Sequence, residues 1–188
     1  MQYADLLHET NCCGGGICPD IQGDPSLLIP LYYHPQRHKR YKYGIIPHVS
    51  NQSIVDDMLM EGMRVSESRD IQIIRLGQYK YWHDIIDQIC ECENILSSSL
   101  HGLILAEAYG VPNVWIEFGK SLIGGHFKFH DFFLSIHRDR EKPIVIERNK
   151  FPKERIDLEL SNWEQGYIDL KPLIKACPFK LKKPKYPL

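Results

Sequence analysis

The sequence predicts an α/β protein built on an open parallel β-sheet. From residue 43 onward, short apolar runs rich in isoleucine and valine alternate with longer runs whose apolar residues follow helical spacing. Strands that alternate with helices form parallel sheets, because each helix carries the chain back to the start of the next strand. The chain has 188 residues, 43% of them hydrophobic, which is enough for one domain with its own core.

The first half of the alternation contains two strand-and-helix units. Residues 43–46 form a short apolar strand that ends at Pro47, and residues 54–63 carry apolar side chains at helical spacing. Residues 71–76 form the second strand. The stretch 81–92 has one apolar stripe, typical of an amphipathic crossover helix. The members of this stripe are Trp82, Ile85, Ile86, Ile89 and Cys90.

The second half continues the pattern to the end of the chain. A strand at 94–97 leads into a serine-rich turn and a helix over 101–109, which Gly110 and Pro112 terminate. The remaining elements are a strand at 113–116, a helix at 128–136, a strand at 143–146 and a terminal helix at 167–176. Right-handed crossovers fold such a chain into a Rossmann-like open sheet with helices on both faces.

The composition divides the chain into two regions. Residues 1–42 are predicted to be an irregular lead-in rich in Gly and Pro, the remnant of a preceding region, and residues 43–188 to be the Rossmann-like domain with a basic tail. The basic stretch 34–42 is interpreted as a solvated loop, with an anion-binding surface as the alternative. The lysines from residue 175 onward indicate a solvated tail, with contact to an anionic membrane surface as the alternative.

The six cysteines are interpreted as reduced thiols, because they lack the paired C-x-x-C spacing of a zinc site. Cys12, Cys13 and Cys18 surround a run of three glycines. A flexible segment is the favoured interpretation of this run, and a chelating or redox loop is the alternative.

Composition and patterning exclude several classes of protein. A formal net charge of −1 argues against a dedicated nucleic-acid binder, which would carry a strongly basic stripe. No apolar run approaches the roughly 20 residues that cross a bilayer, and the first residues lack the pattern of a signal peptide, so we expect a cytoplasmic protein. The nine histidines are dispersed. We therefore expect no metal site and no cofactor.

The most informative stretch follows the predicted strand at 94–97. It consists of three serines, Leu100, His101 and Gly102, and it opens a helix. In open α/β sheets, ligands bind beyond the carboxyl ends of the strands. The first N–H groups of a helix are unpaired and carry partial positive charge, and serine hydroxyls add hydrogen bonds. This turn therefore predicts a pocket for a phosphate or a carboxylate.

His101 lies at the mouth of the same turn, where an imidazole can exchange protons near neutral pH. We expect it to be the catalytic residue, with a capping or core histidine as the alternative. His48 directly follows the first strand and Pro47. Because parallel strands end at one edge of the sheet, His48 and His101 are expected to face one cleft, and the alternative for His48 is a local loop hydrogen bond.

Four segments carry a resemblance to a known family. They are GDPSLLIP at 23–30, YGIIPH at 43–48, SSSLHG at 97–102 and KFHDFFLS at 128–135. In this order and spacing they resemble the C-terminal half of the polysaccharide pyruvyl transferase family over residues 20–140. The resemblance implies transfer of the pyruvyl group of phosphoenolpyruvate, as a cyclic ketal, to hydroxyls of a cell-surface polysaccharide or a lipid-linked saccharide precursor. It also implies a fold that resembles one domain of the glycosyltransferase B type.

The resemblance assigns expected roles to individual residues. Leu100 and His101 match the donor site of the family. Ser97, Ser98 and Gly102 would form the surrounding backbone. The wider donor site would include Ser99, at a position where many family members carry arginine, together with His48 and Lys128. Lys128 would neutralise the donor's carboxylate or phosphate, with an ordinary surface lysine as the alternative. Residues 43–188 would then be the donor-binding domain.

Two other functions remain open from the sequence. The first is a nucleotide-sugar glycosyltransferase domain, in which Glu107 would approach a ribose, although its spacing from His101 points it away on an ideal helix. The second is a non-catalytic module that binds a glycan or a protein partner. Family members carry a whole additional N-terminal domain, so this chain is expected to be a fragment, a truncated gene product or an expressed domain that retains donor binding but lacks turnover alone. An exposed apolar patch at the former domain interface would favour the non-catalytic module and would also drive self-association into a homo-oligomer.

Overall fold

A computed structural model describes residues 22–36, 38–60, 70–119, 125–139, 142–147, 151–178 and 181–187. Its centre is a five-stranded sheet in which every strand pair is parallel. The strands are β1 (Tyr41–Ile46), β2 (Ile71–Ile73), β3 (Cys92–Ser97), β4 (Asn113–Phe118) and β5 (Ile144–Ile146). Their spatial order is β2-β1-β3-β4-β5. The predicted open α/β sheet is confirmed.

Six α-helices and two short 3₁₀-helices surround the sheet in the described ranges. The α-helices are α1 (Gln52–Met60), α2 (His83–Cys90), α3 (Leu100–Ala108), α4 (Phe127–Ser135), α5 (Lys153–Ser161) and α6 (Leu170–Ala176). The 3₁₀-helices span Pro25–Leu31 and Val49–Asn51. Every helix in this part of the chain is too short or too polar to traverse a lipid bilayer.

One face of the sheet is covered by α1 and α5. Val55 and Met58 of α1 and Ile156 of α5 are buried in one cluster with inward-facing residues of the strands, among them Ile45 and Ile116. Side chains on a strand alternate between the two faces, so the neighbouring strand residues point to the other side.

The opposite face is covered by α2, α3 and α4. Its apolar residues form two further clusters, one around α2 and the first part of the sheet and one around α4 and Trp115. Because α1 and α3 lie on opposite faces, the chain leaves β1 in one direction and β3 in the other. The strand order therefore reverses between β1 and β3, and open α/β sheets bind their ligands at such a point.

The N-terminal 3₁₀-helix packs against this second face. Leu27 is buried in the same cluster as Leu103 and Ile104 of α3, and the side chain of Asp24 accepts a hydrogen bond from the Ser26 N–H. The division of the chain at residue 43 stays a prediction, and residues 1–21 lie outside the described residues. The same holds for the predicted loop around Cys12, Cys13 and Cys18. Among the described residues, Cys90, Cys92 and Cys177 form no disulfide bond.

One helix was missed by the sequence prediction. Residues 153–161 form α5, but only Ile156 in this helix is buried, so the sequence lacks the apolar stripe by which helices are recognised. Two predicted boundaries were also wrong. The second strand ends at Ile73 instead of residue 76, and the last helix begins at Leu170, where the Asp169 side chain caps the Lys171 N–H. The end of the helix predicted at 54–63 falls outside the described residues.

Candidate functional site

The carboxyl ends of β1, β3 and β4 bring the candidate site together. Ile46 pairs with Ser97, and Ser97 pairs with Trp115. Two residues beyond these partners come His48, Ser99 and Glu117, in a row across three adjacent strand ends. Neighbouring strands lie about 5 Å apart, so this row spans one short edge of the sheet. The register thus places His48 and the serine turn at one edge, and the expectation that His48 and His101 face one cleft stays a prediction.

The hydroxyls of Ser97 and Ser98 form hydrogen bonds within the serine turn and to the end of β1. Ser97 Oγ accepts a hydrogen bond from the Ser99 N–H at 3.1 Å and lies 2.8 Å from the Ser99 carbonyl oxygen. Ser98 Oγ accepts from the His48 N–H at 2.9 Å and lies 3.5 Å from Asn51 Oδ1. Both serines are completely buried. Their hydroxyls therefore hold the two strand ends in place, whereas the sequence analysis expected all three serines to offer hydroxyls to a ligand.

Helix α3 begins at this edge, directly after the serine turn. Ser99 is its N-cap residue but makes no side-chain capping bond. The N–H groups of Leu100, His101 and Gly102 occupy the first turn, where a helix provides no carbonyl partners. His101 is exposed, and Leu100 is half-buried. The arrangement offers three N–H donors and one accessible imidazole to an anion.

Gly102 allows α3 to lie close to β1 and β3. A Cβ atom at this position would clash with Ser97 Oγ and would come within 2.9 Å of Ile46 Cγ2. Ile46 is completely buried, so its side chain has little room to move. The glycine thus sets the distance between the first turn of α3 and the strand ends.

His48 follows β1 and caps the short 3₁₀-helix at Val49–Asn51. Its Nδ1 accepts a hydrogen bond from the Ser50 N–H at 3.3 Å and lies 2.8 Å from Ser50 Oγ. The loop hydrogen bond that the sequence analysis kept as an alternative is therefore present. Burial and the positive charge of Lys128 hold the pKa of His48 below its ordinary value. A neutral imidazole whose Nδ1 accepts a hydrogen bond carries its proton on Nε2.

Lys128 lies near the start of α4, and its side chain is exposed. Its ammonium lies 5.4 Å from the centre of the Phe129 ring. Its positive charge contributes, after burial, to lowering the pKa of His48. The role of Lys128 at the donor stays a prediction.

A carboxylate and a histidine that the sequence analysis did not identify also lie at this edge. Glu117, at the end of β4, is 6% exposed, and its Oε1 lies 2.6 Å from His126 Nε2. His126 directly precedes α4. The available signal was the acid at position 117 in an otherwise apolar strand, since a buried carboxylate requires a partner.

The carboxylate of Glu107, which would approach a ribose in a glycosyltransferase, is engaged by other residues of this chain. Its side chain is 2% exposed and forms an ion pair with Arg138. It also accepts hydrogen bonds from the Asn113 side chain at 3.0 Å and from the Gly166 N–H at 3.1 Å. These contacts make Glu107 a buried link between α3, β4 and the segment before α6.

Three potential metal ligands come together on α2. His83 Nδ1 lies 3.6 Å from Asp84 Oδ1 and 3.5 Å from Asp87 Oδ2. The three ligand atoms lie within 4.8 Å of one another. Sequence spacing did not indicate this group, which forms ion pairs when His83 is protonated. Metal-independent chemistry stays a prediction.

Comparison with known proteins identifies the family. The family model for polysaccharide pyruvyl transferase matches residues 6–119, which include β1, β3, the serine turn and α3. The uncharacterized protein L143 of Acanthamoeba polyphaga mimivirus is 32% identical over 152 residues, which are 73% of this chain and 51% of that protein. The chain thus spans about half the length of this relative. No solved structure matches. The match of more than half of the chain shows that it belongs to the polysaccharide pyruvyl transferase family.

Proposed function

We propose that this chain contributes the phosphoenolpyruvate site of a pyruvyl transferase that forms ketals on saccharides. The observation that carries the proposal is the first turn of α3, which begins with Leu100, His101 and Gly102 directly after the serine turn, has no side-chain capping bond from Ser99, and leaves His101 exposed. Such a turn suits an anionic ligand, since backbone dipoles and unpaired donors point at it. Lys128 adds a positive charge at the same edge.

The proposed reaction joins two saccharide hydroxyls to one carbon of the donor. The first hydroxyl adds to C2 of phosphoenolpyruvate, and the C2=C3 electron pair takes up a proton, so that C3 becomes a methyl group. The bond between C2 and the bridging oxygen of the phosphate group then breaks, and phosphate leaves. The second hydroxyl closes the ring on C2. The protons of the two hydroxyls balance the one gained by C3 and the one gained by the phosphate.

His101 has the role of the acid that protonates C3 in this scheme. The group must carry a proton near neutral pH and return to that state after each turnover, which suits an imidazole. Leu100 and Gly102, with the N–H groups of the turn, hold the phosphate or carboxylate of the donor. Ser99 adds the hydroxyl that is not used within the turn, and His48 offers Nε2 as a neutral donor.

The acceptor in the proposal is a polysaccharide or a lipid-linked saccharide of a cell-surface or exopolysaccharide pathway. The family description supports a saccharide acceptor in general terms. Phosphoenolpyruvate acts as a substrate in this scheme, and the reaction calls for no other cofactor.

Calorimetric titration of the chain with phosphoenolpyruvate tests the proposal. We expect saturable binding that His101→Ala weakens about tenfold to 150-fold, the effect of one lost hydrogen bond to a charged group. His38→Ala is the matched control, because His38 is exposed in the basic stretch 34–42 before β1. Equal losses in both variants would contradict the assignment to α3.

A parallel titration with UDP-sugars tests the glycosyltransferase alternative. The buried contacts of Glu107 disfavour it, because this carboxylate is already engaged by Arg138 and the Asn113 side chain. We expect no saturable binding of UDP-glucose or UDP-galactose under conditions in which phosphoenolpyruvate binds. Tighter binding of a UDP-sugar would move the chain to that function. Failure of both ligands would leave a non-catalytic binding module as the better description.

A further inference from the structure

Glu117 and His126 form a pair of proton-transfer groups beside the proposed donor site. Glu117 is buried at the end of β4, and its Oε1 lies 2.6 Å from His126 Nε2. The side chain of His126 is 31% exposed, whereas that of Glu117 is 8% exposed. The carboxylate thus lies beneath the imidazole, and the imidazole reaches solvent.

The hydrogen bond fixes which nitrogen of His126 can act as a base. An ionised carboxylate only accepts hydrogen bonds, so Nε2 of the neutral imidazole carries the hydrogen and Nδ1 is left as an acceptor. Trp115 holds the ring from the side, with ring centres 4.9 Å apart and planes at 84°. A carboxylate that fixes the tautomer and orientation of an imidazole is the arrangement by which enzymes prepare a histidine to take a proton from a hydroxyl.

The pair lies at the same sheet edge as the proposed donor site. Glu117 stands in one row with His48 and Ser99 at the strand ends, as the strand register requires. His126 comes two residues before Lys128, whose charge reaches His48. A donor at the first turn of α3 would therefore have two imidazoles to consider, that of His101 on α3 and that of His126 directly before α4.

We propose that His126, oriented by Glu117, accepts the proton of the saccharide hydroxyl that attacks C2 of phosphoenolpyruvate. The inference rests on the proposed function, in which this hydroxyl must lose its proton as the new C–O bond forms. The proton moves to Nδ1 of His126, while the C2=C3 electron pair takes a proton from His101. His126 returns its proton to the departing phosphate, and the proton of the second hydroxyl, released at ring closure, restores His101, so the transfer is balanced without a further reactant.

The test is a side-chain ¹H–¹⁵N spectrum of the labelled chain, because it reports on each histidine nitrogen whether or not turnover occurs. The probe is a methyl galactoside, added with phosphoenolpyruvate present, and its fully O-methylated form is the ligand control because it has no hydroxyl proton to offer. With phosphoenolpyruvate present, we expect a saturable shift of the Nδ1 resonance of His126 on addition of the methyl galactoside and no such shift on addition of its O-methylated form. His130 serves as the internal control, because it lies one helical turn after His126 and its ring also meets the Trp115 ring edge-on. The centres of these two rings are 5.6 Å apart.

Three variants complete the experiment. His126→Gln is expected to weaken galactoside binding about fivefold, the effect of one hydrogen bond, with phosphoenolpyruvate affinity kept. Glu117→Gln is expected to convert His126 into a mixture of tautomers, because the amide can donate to or accept from Nε2. His130→Gln is expected to change neither binding constant. Should Glu117→Gln fail to fold, the His126→Gln comparison still decides the matter.

The outcomes separate this inference from the proposed function. Unmoved His126 resonances, or galactoside binding by His126→Gln equal to the unmodified chain, would overturn the inference even where phosphoenolpyruvate binds at α3. A shift of His126 with the galactoside but no binding of phosphoenolpyruvate would overturn the proposed function and support the hydroxyl site. Equal shifts with the O-methylated sugar would also overturn the inference.

Discussion

At the scale of single residues, Gly102 determines whether the first turn of α3 can reach the strand ends. A methyl group at this position would press on Ser97 Oγ, which is itself bonded within the turn, and on the buried side chain of Ile46. Alanine has a better helix propensity than glycine by about 1 kcal/mol, but overpacking a tight contact costs about 1 to 3 kcal/mol. The destabilising clash is expected to outweigh the gain in helix propensity.

We therefore expect Gly102→Ala to lower the free energy of unfolding by about 1 to 2 kcal/mol. Denaturant unfolding followed by circular dichroism measures the change. Gly77→Ala is the control, since a Cβ at Gly77 has no atom within 4 Å. A Gly102→Ala variant as stable as the control would show that α3 does not lie this close to β1.

His48 provides a second test at this scale, through its coupling to Lys128. Burial and the Lys128 ammonium lower the pKa of His48, in that order of importance. Lys128→Met is expected to raise this pKa while leaving it below the ordinary value, because the effect of burial remains. Titration of the imidazole protons by NMR measures the shift. Lys142→Met, on an exposed residue before β5, is expected to leave the pKa unchanged.

The same pKa determines how His48 affects stability. Since the folded pKa lies below the value of about 6.5 in the unfolded chain, the unfolded chain binds the proton first as pH falls. The His48 contribution to stability is therefore undiminished above about pH 6.5 and decreases as the pH drops toward the folded pKa. Lys128→Met is expected to reduce this decrease, and an unchanged pH profile would contradict the coupling.

Sequence could predict some residues of the site but not others. His101 and His48 follow recognisable strand ends, so their location at one edge could be predicted from the periodicity of the chain. His126 could not, because it lies before a helix and nothing in its neighbourhood connects it with Glu117. The strand register and the folding of α4 onto Trp115 bring the two together.

At the scale of elements, α5 completes the cover of one sheet face through a single buried residue. Ile156 is 0% exposed and shares a core cluster with Val114 and Phe118 of β4. A helix that contributes one apolar side chain has no stripe, which explains why its sequence did not predict it. Strands and helices with a full apolar pattern, such as β3 and α2, were predicted to within two residues.

We expect Ile156→Ala to lower the free energy of unfolding by about 2 to 5 kcal/mol, because the truncation leaves a cavity in a closed cluster. Leu158→Ala is the control in the same helix, since Leu158 is 61% exposed and should change stability by no more than about 0.5 kcal/mol. Chemical denaturation of the two variants measures the difference. Equal effects would mean that α5 does not pack on the sheet as described.

At the scale of the whole molecule, the strand order explains why the candidate residues lie at one edge of the sheet. The order β2-β1-β3-β4-β5 places the reversal between β1 and β3, so helices leave on opposite sides and open a crevice there. The alternation of strands and helices predicts a parallel sheet, but the strand order depends on contacts distant in sequence. The family match covers β1, β3, α3 and β4, and it ends at residue 119, before α4.

The measurement that tests the account most directly is the backbone amide ¹H–¹⁵N spectrum of the chain during titration with phosphoenolpyruvate. The account predicts saturable shifts of the amides of Leu100, His101 and Gly102, since these N–H groups would bind the anion. His101→Ala should weaken the response without moving it elsewhere. Shifts confined to the basic stretch 34–42, or no saturable shift at the first turn of α3, would contradict the assignment of the donor site.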